Sequence, residues 1–112
     1  FPAGKLLVAD VLPKGDPQRA VLAAYTSASK KKYGQNGDTF GGHAWDALHL
    51  VIDSMEKVGA DRAKIRSQVE GTKNYIGAGG VFNFSAKDHN GLTKDAFAMV
   101  KVMKGKWVLA AK

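Results

Sequence analysis

The clearest pattern in the chain lies between Thr39 and Gly59. Trp45, Leu48, Ile52 and Met55 recur at spacings of three and four, with Ala44 and Val51 beside them. That periodicity predicts a helix with one buried face. Phe40, Gly41 and Gly42 stand just before its expected first turn. That end carries free backbone N–H groups and the positive pole of the helix dipole. Such a corner serves either packing or ligand binding.

The flanking patterns are shorter. Leu6-Leu7-Val8-Ala9 is a continuous apolar run between Gly4 and Asp10, and its length predicts a buried strand. Leu12-Pro13 through Asp16-Pro17 turns the chain and starts a helix that is expected to run to Tyr33, with Val21, Leu22, Tyr25 and Ala28 inward and Gly34 as its stop. Asp61 caps a third helix with Ile65 and Val69 on one face, ended by Gly71. After it the period changes. Tyr75-Ile76-Gly77-Ala78-Gly79-Gly80 is glycine-rich and irregular, and Val81–Phe84 is a short strand. Asn90-Gly91 is a turn, and Ala96–Met103, Lys104-Gly105-Lys106 and Trp107–Leu109 form a β-hairpin. No internal repeat occurs. Trp45, Trp107, Phe82, Phe84 and Phe97 are expected in the core.

Composition narrows the class. At 112 residues with 45% hydrophobic content, the chain is one domain or a piece of a larger one, and it has apolar matter for a core. It has no cysteine, which excludes disulfides and thiolate-bound zinc. No run approaches the roughly 18 apolar residues of a membrane span. The start at Phe1-Pro2 carries no signal segment, as expected of a processed or cut piece. The net charge of +7 raises a nucleic-acid reading. Against it, the lysines are spread along the chain. The dense run Lys30-Lys31-Lys32 sits where a helix ends and cations complement the dipole.

Three motifs carry possible chemistry. His43 with Asp46, and His49 with Asp53, have helical spacing, but surface polar pairs account for them without a metal, and no metal or other cofactor is expected. Ser85, Asp88 and His89 hold the ingredients of a hydrolytic triad, yet they crowd one turn, where Ser85 and Asp88 serve as caps. Gly77-Ala78-Gly79-Gly80 precedes a strand and lacks the closing lysine of a phosphate loop.

Read in order, several segments carry a family likeness. They are Leu6–Asp10 with Leu12-Pro13; Lys32-Tyr33-Gly34; Phe40-Gly41-Gly42-His43-Ala44-Trp45-Asp46-Ala47; Gly80–Ser85 through Asp88–Leu92; and Gly105-Lys106-Trp107. The set resembles the C-terminal third of the type I periplasmic solute-binding proteins, the receptors of ABC importers for branched-chain amino acids and amides. The resemblance implies an α/β fragment of a bilobed fold, whose lobes are three-layer sandwiches with mostly parallel sheets. This chain would contribute three helices, isolated strands and a C-terminal hairpin. Residues 1–12 would be a terminal strand of the second lobe, 13–93 the helical part of the first, and 94–112 the return to the second. Leu12, Pro13 and Leu92 would lie at the hinge.

The resemblance further implies a non-enzymatic receptor, periplasmic or otherwise extracytoplasmic and membrane-tethered, that closes on a small ligand and presents it to a membrane permease. Phe40 would be an apolar wall of the ligand site, with Gly41, Gly42 and His43 beside it. The ligand would be a branched-chain amino acid or an aromatic or other organic acid, since the glycine pair departs from the branched-chain type. An isolated piece would expose faces and edges, and a strand-exchanged dimer is expected. The competing readings are a small hydrolase using His89 with Ser85 or Asp88, and a basic nucleic-acid-binding module.

Overall fold

A computed structural model describes residues 1–110. The first strand, β1 (Pro2–Gly4), is followed by a 3-10 segment over Lys5–Val11. Three helices come next: α1 (Arg19–Tyr33), α2 (Thr39–Val58) and α3 (Arg62–Glu70). The short strands β2 (Tyr75–Ile76) and β3 (Val81–Phe82) precede a 3-10 turn at Lys94–Ala96, and β4 (Phe97–Met103) and β5 (Lys106–Leu109) end the described chain.

The expected strand at Leu6–Ala9 is not there. The apolar run is helical, and extended backbone occupies Pro2–Gly4 instead. A run of four apolar residues is compatible with either state, and packing decides between them. Here Val8 and Leu12 enter the core, with Leu6 and Ala9 packed on its margin, so the segment caps the sheet instead of joining it. Nor is the first strand isolated. β1 pairs antiparallel with β4 through Pro2↔Met99, Ala3↔Ala98 and Gly4↔Phe97, which joins the two ends of the chain.

The three-stranded sheet runs β1-β4-β5, and every strand pairing among the described residues is antiparallel. The turn between β4 and β5 has left-handed backbone at Lys104 (φ 50°) and Gly105 (φ 73°). Two such residues in succession match the right-handed twist of a hairpin. Ala3, Val8, Leu12, Leu22, Ala78 and Val100 form the core, with Ala98 and Leu109 beside it. The stretch from Tyr75 to Gly80, expected to be irregular, instead supplies strand β2 and the loop of a second hairpin. β2 and β3 pair through Tyr75↔Phe82 and Ile76↔Val81, and Gly77 N–H donates to Gly80 O at 2.8 Å.

The helices follow the sequence signals at their ends. Asp16 accepts from Gln18 N–H at 2.9 Å and pairs with Lys5 at 2.8 Å, and α1 starts at Arg19, two residues after the expected Pro17. Gly34 (φ 75°) closes α1. Asp61 accepts from Lys64 N–H at 2.9 Å and caps α3.

The inward face of α2 is the main correction. Its buried residues are Gly42, Asp46, Leu50 and Ser54, four apart. Of the expected stripe, Leu48, Ile52 and Met55 are 40–59% exposed, and Val51 lies in the same range. Hydrogen bonding explains the inversion in part: Asp46 meets the backbone of another segment there, and the buried Ser54 hydroxyl is satisfied by Leu50 O of its own helix. Trp45 is half-buried against Tyr25 and His49. Of the other aromatics expected in the core, Phe82 is buried and Phe84 half-buried, while Trp107 and Phe97 are exposed.

Candidate functional site

The first turn of α2, the loop between β2 and β3, and the segment that leads into β4 converge on a cleft of about 600 Å³. Thr39, Gly42 and His43 of α2, Ala78 and Gly79 of the loop, and Leu92 and Lys94 are among the residues that line it.

The start of α2 differs from the expected one. The helix begins at Thr39, so Phe40, Gly41 and Gly42 lie inside its first turn. Asp38 is the N-cap: its carboxylate accepts from Gly41 N–H at 2.7 Å, and its carbonyl accepts from Gly42 N–H at 3.0 Å. The glycine N–H groups are therefore already engaged and are not free for an anion. Tyr25 explains the absence of a side chain at Gly41. Its hydroxyl donates to Asp38 O at 2.9 Å, and a Cβ at Gly37 or Gly41 would overlap the phenol. Burial, and secondarily the nearby Asp38 charge, raises the Tyr25 phenol above its ordinary value. Tyr75 is also raised, by burial first and then by Asp53 and Asp46.

The four expected ligand residues are not gathered in one cavity. Gly42 and His43 line the cleft; Gly41 does not line it, and Phe40, 84% exposed, lies outside it. Of the expected hinge residues, Leu12 is buried in the core and Leu92 lines the cleft. Pro13 is exposed and turns the chain by accepting from Asp16 N–H at 3.0 Å.

Two functional candidates escaped the sequence reading. Asp46, 2% exposed, accepts from Ala78 N–H and from Gly79 N–H, each at 2.7 Å. Gln18, 1% exposed, donates through Nε2 to Gly77 O at 3.0 Å and Ala78 O at 3.2 Å. In the sequence Asp46 stood out as a helical neighbour of His43 and as a member of the Phe40–Ala47 likeness segment, with no loop-binding role assigned, and no signal marked Gln18.

The triad ingredients are occupied with turn chemistry. Ser85 Oγ accepts from Asp88 N–H at 3.1 Å, and the Asp88 carboxylate accepts from Asn90 N–H at 2.9 Å. His89 turns instead to Glu70, with Nε2 2.8 Å from its carboxylate. No nucleophile–base–acid geometry exists among them. His49 donates to Trp45 O at 2.9 Å, and no group of three potential metal ligands occurs among the described residues.

No family profile matches the sequence, and no curated protein does. Solved structures do. An extracellular ligand-binding receptor from Rhodopseudomonas palustris HaA2 is 27% identical, with a TM-score of 0.86 over 98% of this chain and 33% of that one. A further extracellular ligand-binding receptor from the same organism, 23% identical, shares the fold with a TM-score of 0.80 over the same shares. The leucine-binding protein LivK of Thermotoga maritima MSB8 is 25% identical, with a TM-score of 0.60 over 88% of this chain and 29% of that one. The chain thus spans about a third of the length of the receptors it matches. Over nearly its whole length it has the fold of one third of a type I periplasmic solute-binding receptor, the family that its sequence resembles.

Proposed function

We propose that the chain forms part of the ligand site of an extracytoplasmic solute-binding receptor that feeds an ABC importer. One observation carries the reading. The cleft lies where α2, the β2–β3 loop and the Leu92–Lys94 segment meet, in a fold shared over 98% of the chain with an extracellular ligand-binding receptor. In this reading residues 13–93 belong to one lobe, residues 1–12 and 94–110 to the other, with 111–112 of the expected span outside the described residues, and Leu12, Pro13 and Leu92 to the hinge between them. His43 and Gly42 border the ligand, Gly41 shapes the turn behind them, and Phe40 is an apolar wall on the open side. Its 84% exposure suits a surface that a second wall covers.

The ligand is a small amino acid or an aromatic or other organic acid. The leucine-binding neighbour supports the first class, and the mainly apolar cleft lining is compatible with both. The closed receptor would then engage a membrane permease. Titration calorimetry with L-leucine, L-isoleucine and benzoate tests the reading. Saturable heat from one class is expected, weakened roughly tenfold or more in Phe40→Ala, as for loss of a buried apolar contact. No heat from any of the three, in this chain or in a longer receptor containing it, overturns the reading; unchanged affinity in Phe40→Ala removes Phe40 from the site.

A further inference from the structure

The Gly77–Gly79 loop is gripped from two sides by side chains that are almost wholly buried. Asp46 takes the N–H groups of Ala78 and Gly79, at 2.7 Å each, on the two oxygens of one carboxylate. Gln18, from the start of α1, takes the carbonyls of Gly77 and Ala78 with its amide nitrogen. A carbonyl can only accept, so these two bonds fix the orientation of the Gln18 amide. Its oxygen is left buried without a partner among the described residues, a cost that the loop contact must outweigh. The loop also sits too close for side chains. A Cβ at Gly77 would lie 2.6 Å from the Asp46 carboxylate carbon, and one at Gly79 would lie 2.5 Å from His43 Cε1.

We propose that Asp46 and Gln18 are positioning residues of the cleft: they hold the Ala78–Gly79 backbone against His43 and so set the width of the ligand site. The inference deepens the receptor reading and rests on it. With the Ala78 peptide tied through its N–H on one side and its C=O on the other, neither adjoining peptide plane is free to turn. The part of the cleft lining that Ala78 and Gly79 supply is then rigid backbone, and the His43 ring lies close against Gly79.

The test is amide and imidazole NMR of the labelled 112-residue chain. In Asp46→Asn, one N–H loses its acceptor. The Ala78 and Gly79 amide protons are expected to move and to exchange about tenfold faster or more, relative to amides of the β4–β5 hairpin, and the His43 ring signals to shift. In Gly79→Ala the His43 ring moves while the Ala78 amide stays. L-leucine, followed at His43, should need at least about tenfold more ligand for half-saturation in Asp46→Asn. Unchanged Ala78 and Gly79 signals, or faster exchange spread evenly over the chain, overturns the proposal. So does an unmoved His43 in Gly79→Ala, even if Asp46→Asn fails to fold. Should leucine leave the unsubstituted chain unmoved while the amide and His43 signatures change in Asp46→Asn, the positioning role stands and the leucine reading fails.

Discussion

The two faces of α2 invert the usual relation between polarity and burial. The inner face buries Gly42, Asp46, Leu50 and Ser54, of which only Leu50 is a large apolar residue. The outer face carries Leu48, Val51, Ile52 and Met55, all at least 40% exposed. On the inner face Asp46 binds the loop, while Ser54 Oγ is satisfied within the helix, donating to Leu50 O at 2.6 Å. Nothing in the described fold covers the outer one. The difference teaches that an apolar stripe records where a helix is built to be buried, whereas the polar face records what it touches here. The chain spans about a third of the length of the receptors it matches, and a contiguous exposed apolar face of this kind marks an interaction surface.

Breaking the inner face should have the largest effect. Asp46→Leu leaves the buried Ala78 N–H and the part-buried Gly79 N–H without an acceptor, and a buried one costs about 1–3 kcal/mol. A loss of roughly 2–5 kcal/mol is expected from urea denaturation. An Asp46→Leu chain as stable as its parent would reduce the loop contact to decoration. Leu50→Ala comes next, at about 2–4 kcal/mol for an emptied buried site. The same change at Leu48, 59% exposed, should cost at most about 0.5 kcal/mol. Equal losses at the two leucines would erase the distinction between the faces.

Tyr25 probes the corner where α2 starts. Its hydroxyl bond to Asp38 O contributes about 1 kcal/mol, which Tyr25→Phe should remove in the same assay. The pH dependence carries a sign. The folded phenol is raised above the unfolded value of about 10, so the neutral form favours the folded state. That contribution is full below about pH 10 and is lost as pH rises towards the folded value. Stability should therefore fall above about pH 10 and fall less steeply in Tyr25→Phe, with Tyr75 leaving a residual slope. Identical alkaline slopes in the two chains would show that Tyr25 titrates as it does when unfolded.

The legible parts of the fold were those written in local chemistry. Asp61 and Gly34 marked helix ends, and the Lys104-Gly105 turn marked the hairpin, because capping and turn geometry depend on a few adjacent residues. The family likeness was legible for another reason: it rests on the order of many weak motifs. The Leu6–Ala9 run misled because four apolar residues fit a strand or a 3-10 segment equally well, and packing into a core shared with Leu22 of α1 and Val100 of β4 decides between them. Gly42 and His43, singled out in the sequence for their place at the start of α2, line the cleft. The loop contacts of Asp46 and Gln18 were not legible, since their partners are backbone atoms 32 to 60 residues away, and backbone partners leave no mark in side-chain pattern.

The smallest expected effect on folding, on the outer face, separates burial from association. Ile52→Lys puts a charge in the middle of the exposed stripe. Because the side chain already meets solvent, the stability of the chain should change by no more than about 0.5 kcal/mol. Self-association is a different matter. If the apolar stripe drives copies together, sedimentation should show a concentration-dependent dimer in the parent chain and a monomer in Ile52→Lys. A dimer that persists in Ile52→Lys and disappears with a proline in β5 would assign the contact to the sheet edge, as strand exchange requires. A loss of stability as large as that of Leu50→Ala would mean that the stripe is buried within one copy, and the contrast between the two faces of α2 would have to be given up.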